Sequence, residues 1–147
     1  MKLHAEVVGG GISGPQFGPA PGARWITTAQ QWQAQLDQSP RWSYRGKGLT
    51  ASQVNFEQAG LLLIWMGDKP TGGFAIDLLP EQSSIRQKTA ILTVEWIEPA
   101  PGAMVTQMLT QPYLLVRIDK NDFNRIEVVD QRGQKHIDLD LAGKRKS

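Results

Sequence analysis

Leu61-Leu62-Leu63-Ile64-Trp65-Met66-Gly67-Asp68-Lys69-Pro70-Thr71-Gly72-Gly73-Phe74-Ala75-Ile76-Asp77 is the stretch on which the fold turns. Two apolar, strand-like runs flank a loop dense in turn residues. Pro70 fixes its own φ, and Gly72-Gly73 admit backbone conformations closed to other residues. Gly60–Trp65 is almost continuously apolar, the pattern of a central strand buried on both faces. The spacing predicts a hairpin, with Phe74–Leu79 as the partner strand and Pro80 as its stop. The loop carries no obvious catalytic group, which points toward binding rather than chemistry.

Upstream, Leu3–Val8 reads as a short first strand ending at Gly9-Gly10-Gly11. Gly9–Gly22 reads as a Gly/Pro-rich connector, and Trp25-Ile26 resumes hydrophobic sequence. Thr28 is placed as a helix N-cap with Gln31 three residues on, as in a capping box. Ala29, Trp32 and Leu36 make a modest helical stripe, and Ser39-Pro40 ends it. Trp42–Thr50 reads as a loop.

Downstream the pattern is β. Arg86–Ile97 forms one longer strand with Ala90, Leu92, Val94 and Trp96 on one face. Tyr113–Asp119 places Leu114, Val116 and Ile118 together. Arg125–Val129 and His136–Leu141 are two last strands, joined by a turn at Asp130–Gln134. No internal repeat and no second core appear. The fold class is α+β: a mostly antiparallel sheet, as a sandwich or partly open barrel, with one short N-terminal helix. Residues 1–147 make a single domain. Residues 1–53 hold the first strand, Gly/Pro-rich loop and helix, residues 54–131 the β-rich core, and residues 142–147 a basic tail.

The chain has 147 residues, 40% of them hydrophobic and 20% charged, enough for one real core. A net charge of +2 is too small to argue for nucleic acid. The run Lys144-Arg145-Lys146 reads as a solvated end. Arg41, Arg45 and Lys47 beside Trp42 and Tyr44 could stack bases, but no matching basic stripe exists elsewhere. The absence of cysteine excludes disulfides, thiolate catalysis and Cys-rich zinc sites. No apolar run reaches the ~18 residues of a membrane span. The first residues lack the apolar core of a signal peptide. The expected location is therefore cytoplasmic, or the cell envelope or periplasm if an export signal was trimmed.

Gly9-Gly10-Gly11-Ile12-Ser13-Gly14 matches the dinucleotide-binding fingerprint after a strand-like segment. That fingerprint needs a helix from its third glycine, with its N-terminus facing a pyrophosphate. Pro15, Gly18, Pro19, Pro21 and Gly22 prevent one, and no acidic strand end follows at the required distance. Gly46-Lys47-Gly48 lacks the remaining residues of a phosphate-binding loop. His4 and His136 have no local partners for a triad or a metal site. Asp138 and Asp140 share a strand face, where alternation with apolar residues marks one wet side. Asp119–Asp122 is a polar turn that falls short of a calcium loop. No catalytic residue, metal ligand or cofactor is assigned.

From about Val54 to Gln131 the chain resembles the PrcB C-terminal domain family. The resemblance is carried by Asn55-Phe56, by Gly67–Ile76, by Glu98-Pro99-Ala100-Pro101-Gly102, by Thr106, and by Thr110-Gln111-Pro112-Tyr113-Leu114-Leu115-Val116-Arg117-Ile118-Asp119-Lys120. Phe74 stands where that family commonly has Tyr. The resemblance implies a small β-rich domain of bacterial envelope or secreted proteins, often lipoproteins, and an eponym that belongs to a protease complex without being the protease. No cysteine remains for a lipid anchor.

Lys69, Thr71, Gly72, Gly73, Phe74, Pro112 and Tyr113 are the candidate partner-binding residues. They form one patch if the loop and the Pro-Tyr strand share an end of the sheet. Glycine amides and a threonine hydroxyl can contact a partner, and an exposed edge strand can accept one by β-augmentation. A wide structural hairpin is the competing reading of the same loop. The functional expectation is a non-enzymatic protein-interaction module, an accessory subunit of an envelope or secreted protease complex. Alternatives are a small hydrolase using Asp77, Glu95 or the Asp138/Asp140 pair, and a ligand-binding β-barrel.

Overall fold

The computed structural model describes residues 2–12, 17–38 and 54–141. Nine strands and one α-helix follow in chain order: β1 (Ala5–Gly11), β2 (Gly22–Ile26), α1 (Ala29–Gln38), β3 (Ala59–Trp65), β4 (Ala75–Leu78), β5 (Ser84–Arg86), β6 (Thr89–Ile97), β7 (Tyr113–Asp119), β8 (Arg125–Val129) and β9 (Lys135–Asp140). A short 3-10 turn at Pro80–Gln82 joins β4 to β5.

The strands form two sheets. The first runs β1-β7-β3-β2, and all its pairs are antiparallel. The second runs β4-β6-β8-β9, with β5 also pairing β6. Its β6–β8 pair is parallel. The result is a mostly antiparallel sandwich with one helix, the α+β class expected, and not a closed barrel.

Alternation builds the layers. Leu62, Ile64, Leu114, Val116 and Ile118 of the first sheet meet Leu92, Val94, Trp96, Ile126 and Val128 of the second. On the opposite face of the first sheet, Leu61, Leu63, Leu115 and Ile26 of β2 are buried together with Trp32 of α1. Every residue of β3 is buried, because it is central in its sheet and covered on both faces. The near-continuous apolar run predicted this.

The hairpin is not formed. β3 lies between β2 and β7, while β4 pairs β6 in the other sheet. The turn-rich stretch is instead a crossover between sheets. Seven-residue β7 pairs with β3 along its whole length and is buried with it, a stronger source of pairing than sequence proximity to four-residue β4.

Other boundaries shift for local reasons. The Gly9–Gly11 run is strand, not connector, with a bulge between Val7 and Gly9. A Cβ on Gly10 would sit 3.0 Å from the Tyr113 carbonyl oxygen and 3.3 Å from Leu114 Cδ1, so this close pairing favours a residue with no side chain. The expected single strand Arg86–Ile97 is broken at Gln87-Lys88, both at positive φ, 49° and 64°. That is the handedness of a two-residue hairpin turn, built here without the usual glycine or asparagine. At its other end the expected connector overlaps β2 by one residue, Gly22.

The helix begins as the sequence predicts. Gln31 N–H donates to Thr28 Oγ1 at 3.0 Å. The return bond goes one residue further back than in a capping box, from Thr27 N–H to Gln31 Oε1 at 2.8 Å. Trp32 and Gln35 are the buried residues of the face, and Ala29 is exposed. No described helix is long and apolar enough to cross a membrane. The basic–aromatic group at Arg41–Lys47, Gly46-Lys47-Gly48 and the 142–147 tail lie outside the described residues, as do Ser13 and Gly14.

Candidate partner-binding surface

The crossover after β3 is held by a second loop rather than by a hairpin strand. That loop spans residues 98–112, between β6 and β7. Lys69 and Thr110 exchange both backbone hydrogen bonds, each 2.9 Å. Gly72 N–H donates to the Thr106 carbonyl at 2.9 Å, and Thr110 Oγ1 donates to the Thr71 carbonyl at 2.9 Å. Met66 N–H donates to the Pro112 carbonyl at 3.1 Å. The two loops thus form a short two-layered ribbon at one end of the first sheet.

Backbone geometry explains two of the glycines. Gly67 has φ 92°, and a Cβ there would lie 2.4 Å from the Pro19 carbonyl oxygen. Gly73 has φ 91°, and its Cβ would meet Pro99 Cβ at 2.9 Å and Val105 Cγ1 at 3.0 Å. Both positions combine the left-handed region with close packing, so both favour glycine. Gly72 is buried against the 98–112 loop with its amide already engaged, whereas Gly73 is exposed.

The predicted residues divide. Lys69, Thr71, Gly72, Gly73 and Phe74 lie together along the crossover. Lys69 Nζ stands 5.3 Å from the Phe74 ring centroid, and Thr71 Oγ1 donates to the Gly72 carbonyl at 2.9 Å. Pro112 adjoins them through Met66, so the loop and the Pro-Tyr strand do share one end. Tyr113, however, is only 4% exposed. Its ring lies 5.8 Å from that of Phe17, which stacks on Trp65 at 4.9 Å. Tyr113 belongs to the packed face beneath α1's layer and offers no exposed aromatic contact.

Among the residues the ribbon exposes are three large apolar side chains. Met104 is 100%, Leu109 73% and Met108 51% exposed. All three lie between Pro101-Gly102 and Pro112, in a segment with no strand alternation. Sequence reasoning passed over them, although bulky apolar residues flanked by Pro and Gly were a usable signal. Isolated exposed hydrophobics are ordinary on proteins; three within six residues of one loop are a patch.

Asp77 and Glu95 face each other across β4 and β6 on the exposed side of the second sheet. Arg125 bonds both Asp138 and Asp140, and Lys135 Nζ lies 3.0 Å from Asp138 and 3.6 Å from Glu127. The hydrogen bond from Lys135, with that from Arg125, holds Asp138 below the usual carboxylate range despite partial burial. Among the described residues no group of three or more His, Asp or Glu is placed to hold a metal ion.

The histidines are separated by the fold. His4 precedes β1 in the first sheet, and its carbonyl accepts the Asp119 N–H at 3.0 Å. His136 is in β9 of the second. Its Nε2 is 2.9 Å from Asp130 Oδ2, and its ring stacks on Trp96 at 4.0 Å. The Asp130 side chain is fully buried in the β8–β9 turn. Burial alone would raise its pKa. The bond from His136 and the Gln134 and Arg132 amides outweigh that and hold it low. Next to it, the Gln131 side chain accepts from Trp96 N–H at 2.8 Å and donates to the Trp96 carbonyl at 3.3 Å, extending the β6 ladder past the end of β8.

The architecture defines a two-sheet sandwich whose first sheet is also covered by a helix and whose end presents a loop with exposed apolar side chains. Residues 61–119, from β3 to the end of β7, match the family model described as PrcB C-terminal. Neither the curated proteins nor the solved structures include a match to the chain.

Proposed function

We propose that the chain is a non-catalytic accessory subunit that binds a protein partner within an envelope or secreted protease complex. The observation that carries this reading is the loop with Met104, Met108 and Leu109 turned to solvent, fixed by backbone hydrogen bonds to Lys69–Gly72. Ordering such a loop in advance lowers the entropy lost on docking. Met and Leu side chains supply apolar area, and methionine adapts its shape to a partner. Lys69, Thr71 and Phe74 border the loop as a polar and aromatic rim. The family's name supports the protease-complex context. The pairing of Asp138 and Asp140 with Arg125 and Lys135 favours binding over carboxylate catalysis.

The test is affinity capture from cells by the full chain and by a Met104→Asp/Leu109→Asp variant, with bound chains identified by mass spectrometry. The wild type is expected to retain a protease-complex subunit, and the variant to lose about tenfold or more of it. Equal retention by a variant of unchanged circular dichroism removes the loop from the interface. Capture of no protease-complex subunit removes the protease assignment.

A further inference from the structure

The edge of the first sheet offers a second surface, away from the Met104–Leu109 loop. β1 is the end strand of that sheet among the described residues. Edge strands invite pairing with another chain and are ordinarily guarded by charge, by proline or by shortness. The other edges here are guarded. β2 carries Arg24, β9 carries Lys135, Asp138 and Asp140, and β4 has four residues including Asp77. β1 carries Glu6, but no charge lies between Val7 and Ile12. Its bulge falls between Val7 and Gly9, so it interrupts the first half of the strand and spares the second.

The sandwich is closed at one corner and open at the other. Lys2 bridges Ser84, and Leu3 N–H donates to the Ser83 carbonyl at 3.4 Å. Toward Gly9–Ile12 the sheets part, leaving a groove of about 440 Å³ between β1 and β4. Ala75, Ile76 and Leu114 line it, and no residue lining it is charged. Val7 and Ile12, on its rim, are 40% and 42% exposed.

We propose that this edge is a self-association site, at which a second copy of the chain pairs its Gly10–Ile12 segment antiparallel to the first. A two-fold axis at Gly11 sets Gly11 against its own copy and Gly10 against Ile12 of the other. Directly opposed residues of an antiparallel pair point to the same face. Gly10 faces Leu114, where its Cβ would lie 3.3 Å from Cδ1, so that face is the groove. The Ile12 side chain of each copy then enters the groove of the other beside a position with no side chain. One strand carries both halves of the contact, as an isologous interface requires. The occupant is uncharged like its groove, and Glu6 falls outside the paired stretch. Met104, Met108 and Leu109 take no part, so this dimer stands or falls separately from the partner-binding loop.

Sedimentation velocity of the full chain over a wide concentration range tests it. The wild type is expected to form a dimer in a concentration-dependent manner. Ile12→Lys places a charge in the uncharged groove and is expected to weaken the dimer at least about tenfold. Leu109→Asp is expected to leave it intact. Because the chain has no cysteine, Ile12→Cys gives a single reactive site, two copies of which flank the axis. A short bis-maleimide is expected to trap a covalent dimer. A wild type that stays monomeric at every concentration overturns the proposal. So does an Ile12→Lys protein of unchanged circular dichroism that dimerises as tightly as wild type, or a failure of the cross-link.

Discussion

Gly67 turns the chain out of the deepest strand of the molecule, and its conformation is set from two sides. Its φ of 92° disfavours any side chain, and the Pro19 carbonyl occupies the space where a Cβ would go. Gly67→Ala is therefore expected to destabilise the fold by about 1–3 kcal/mol, through strain and overpacking together. Urea unfolding measures this; an unchanged midpoint would show that the crossover relaxes without cost. Tyr113 teaches the complementary lesson. An aromatic after proline at the start of a strand reads equally well as exposed or buried. Its burial depends on Phe17 and Trp65, which approach it only through the tertiary fold. Nothing local to Pro112-Tyr113 announces them. The apolar trio Met104, Met108 and Leu109 was visible in the sequence, but their exposure was not, because exposure depends on which loops lie over which sheet.

At the level of elements, the helix start was legible because its causes are local. Thr28, Gln31 and the amides they satisfy lie within one turn. Strand partners were less legible. The stretch from Leu61 to Asp77 contains two strands and a loop of turn residues, yet these facts fit a hairpin and a crossover alike. What decides is the pairing of β3 with β7, about fifty residues downstream in sequence, where local signals carry no information. The β8–β9 turn was placed correctly from its polar residues, but its electrostatics were hidden. Asp130 has a folded pKa below its ordinary value of 3.8. Its ionised form therefore adds stability that is complete above the unfolded pKa and is lost as pH falls through the lower folded one. Asp130→Asn is expected to be less stable than wild type at neutral pH, with the difference shrinking as pH drops below about 3.8. Denaturant unfolding at a series of acidic pH values measures it. A constant difference across that range would mean that the carboxylate's charge contributes nothing.

For the whole molecule, the two apolar clusters have different jobs. One joins the sheets; the other fastens α1 to the first sheet through Trp32. Trp32→Ala is expected to cost about 3–5 kcal/mol, the range for a large aromatic in a packed interior. Hydrogen exchange should report the loss first at α1, while the amides of β6 keep their protection. Equal loss of protection at both would mean that the layers unfold as one unit. The class of fold could be read from apolar alternation in β6, β7 and β8, because each strand reports its own two faces. The division into two sheets could not, because it is a property of pairings.

The match to residues 61–119 begins in β3 and ends with β7. In the folded chain β7 lies between β3 and β1, and β6 lies between β4 and β8. The matched segment and the folded unit are therefore different lengths of polypeptide. Cut out at its recognisable limits, the segment would leave three interior strands, β3, β6 and β7, with one flank bare, together with the apolar surface that Trp32 covers. What heredity marks as a module is here the spine of a larger body, and its solubility is lent to it by residues on either side that the family pattern does not contain.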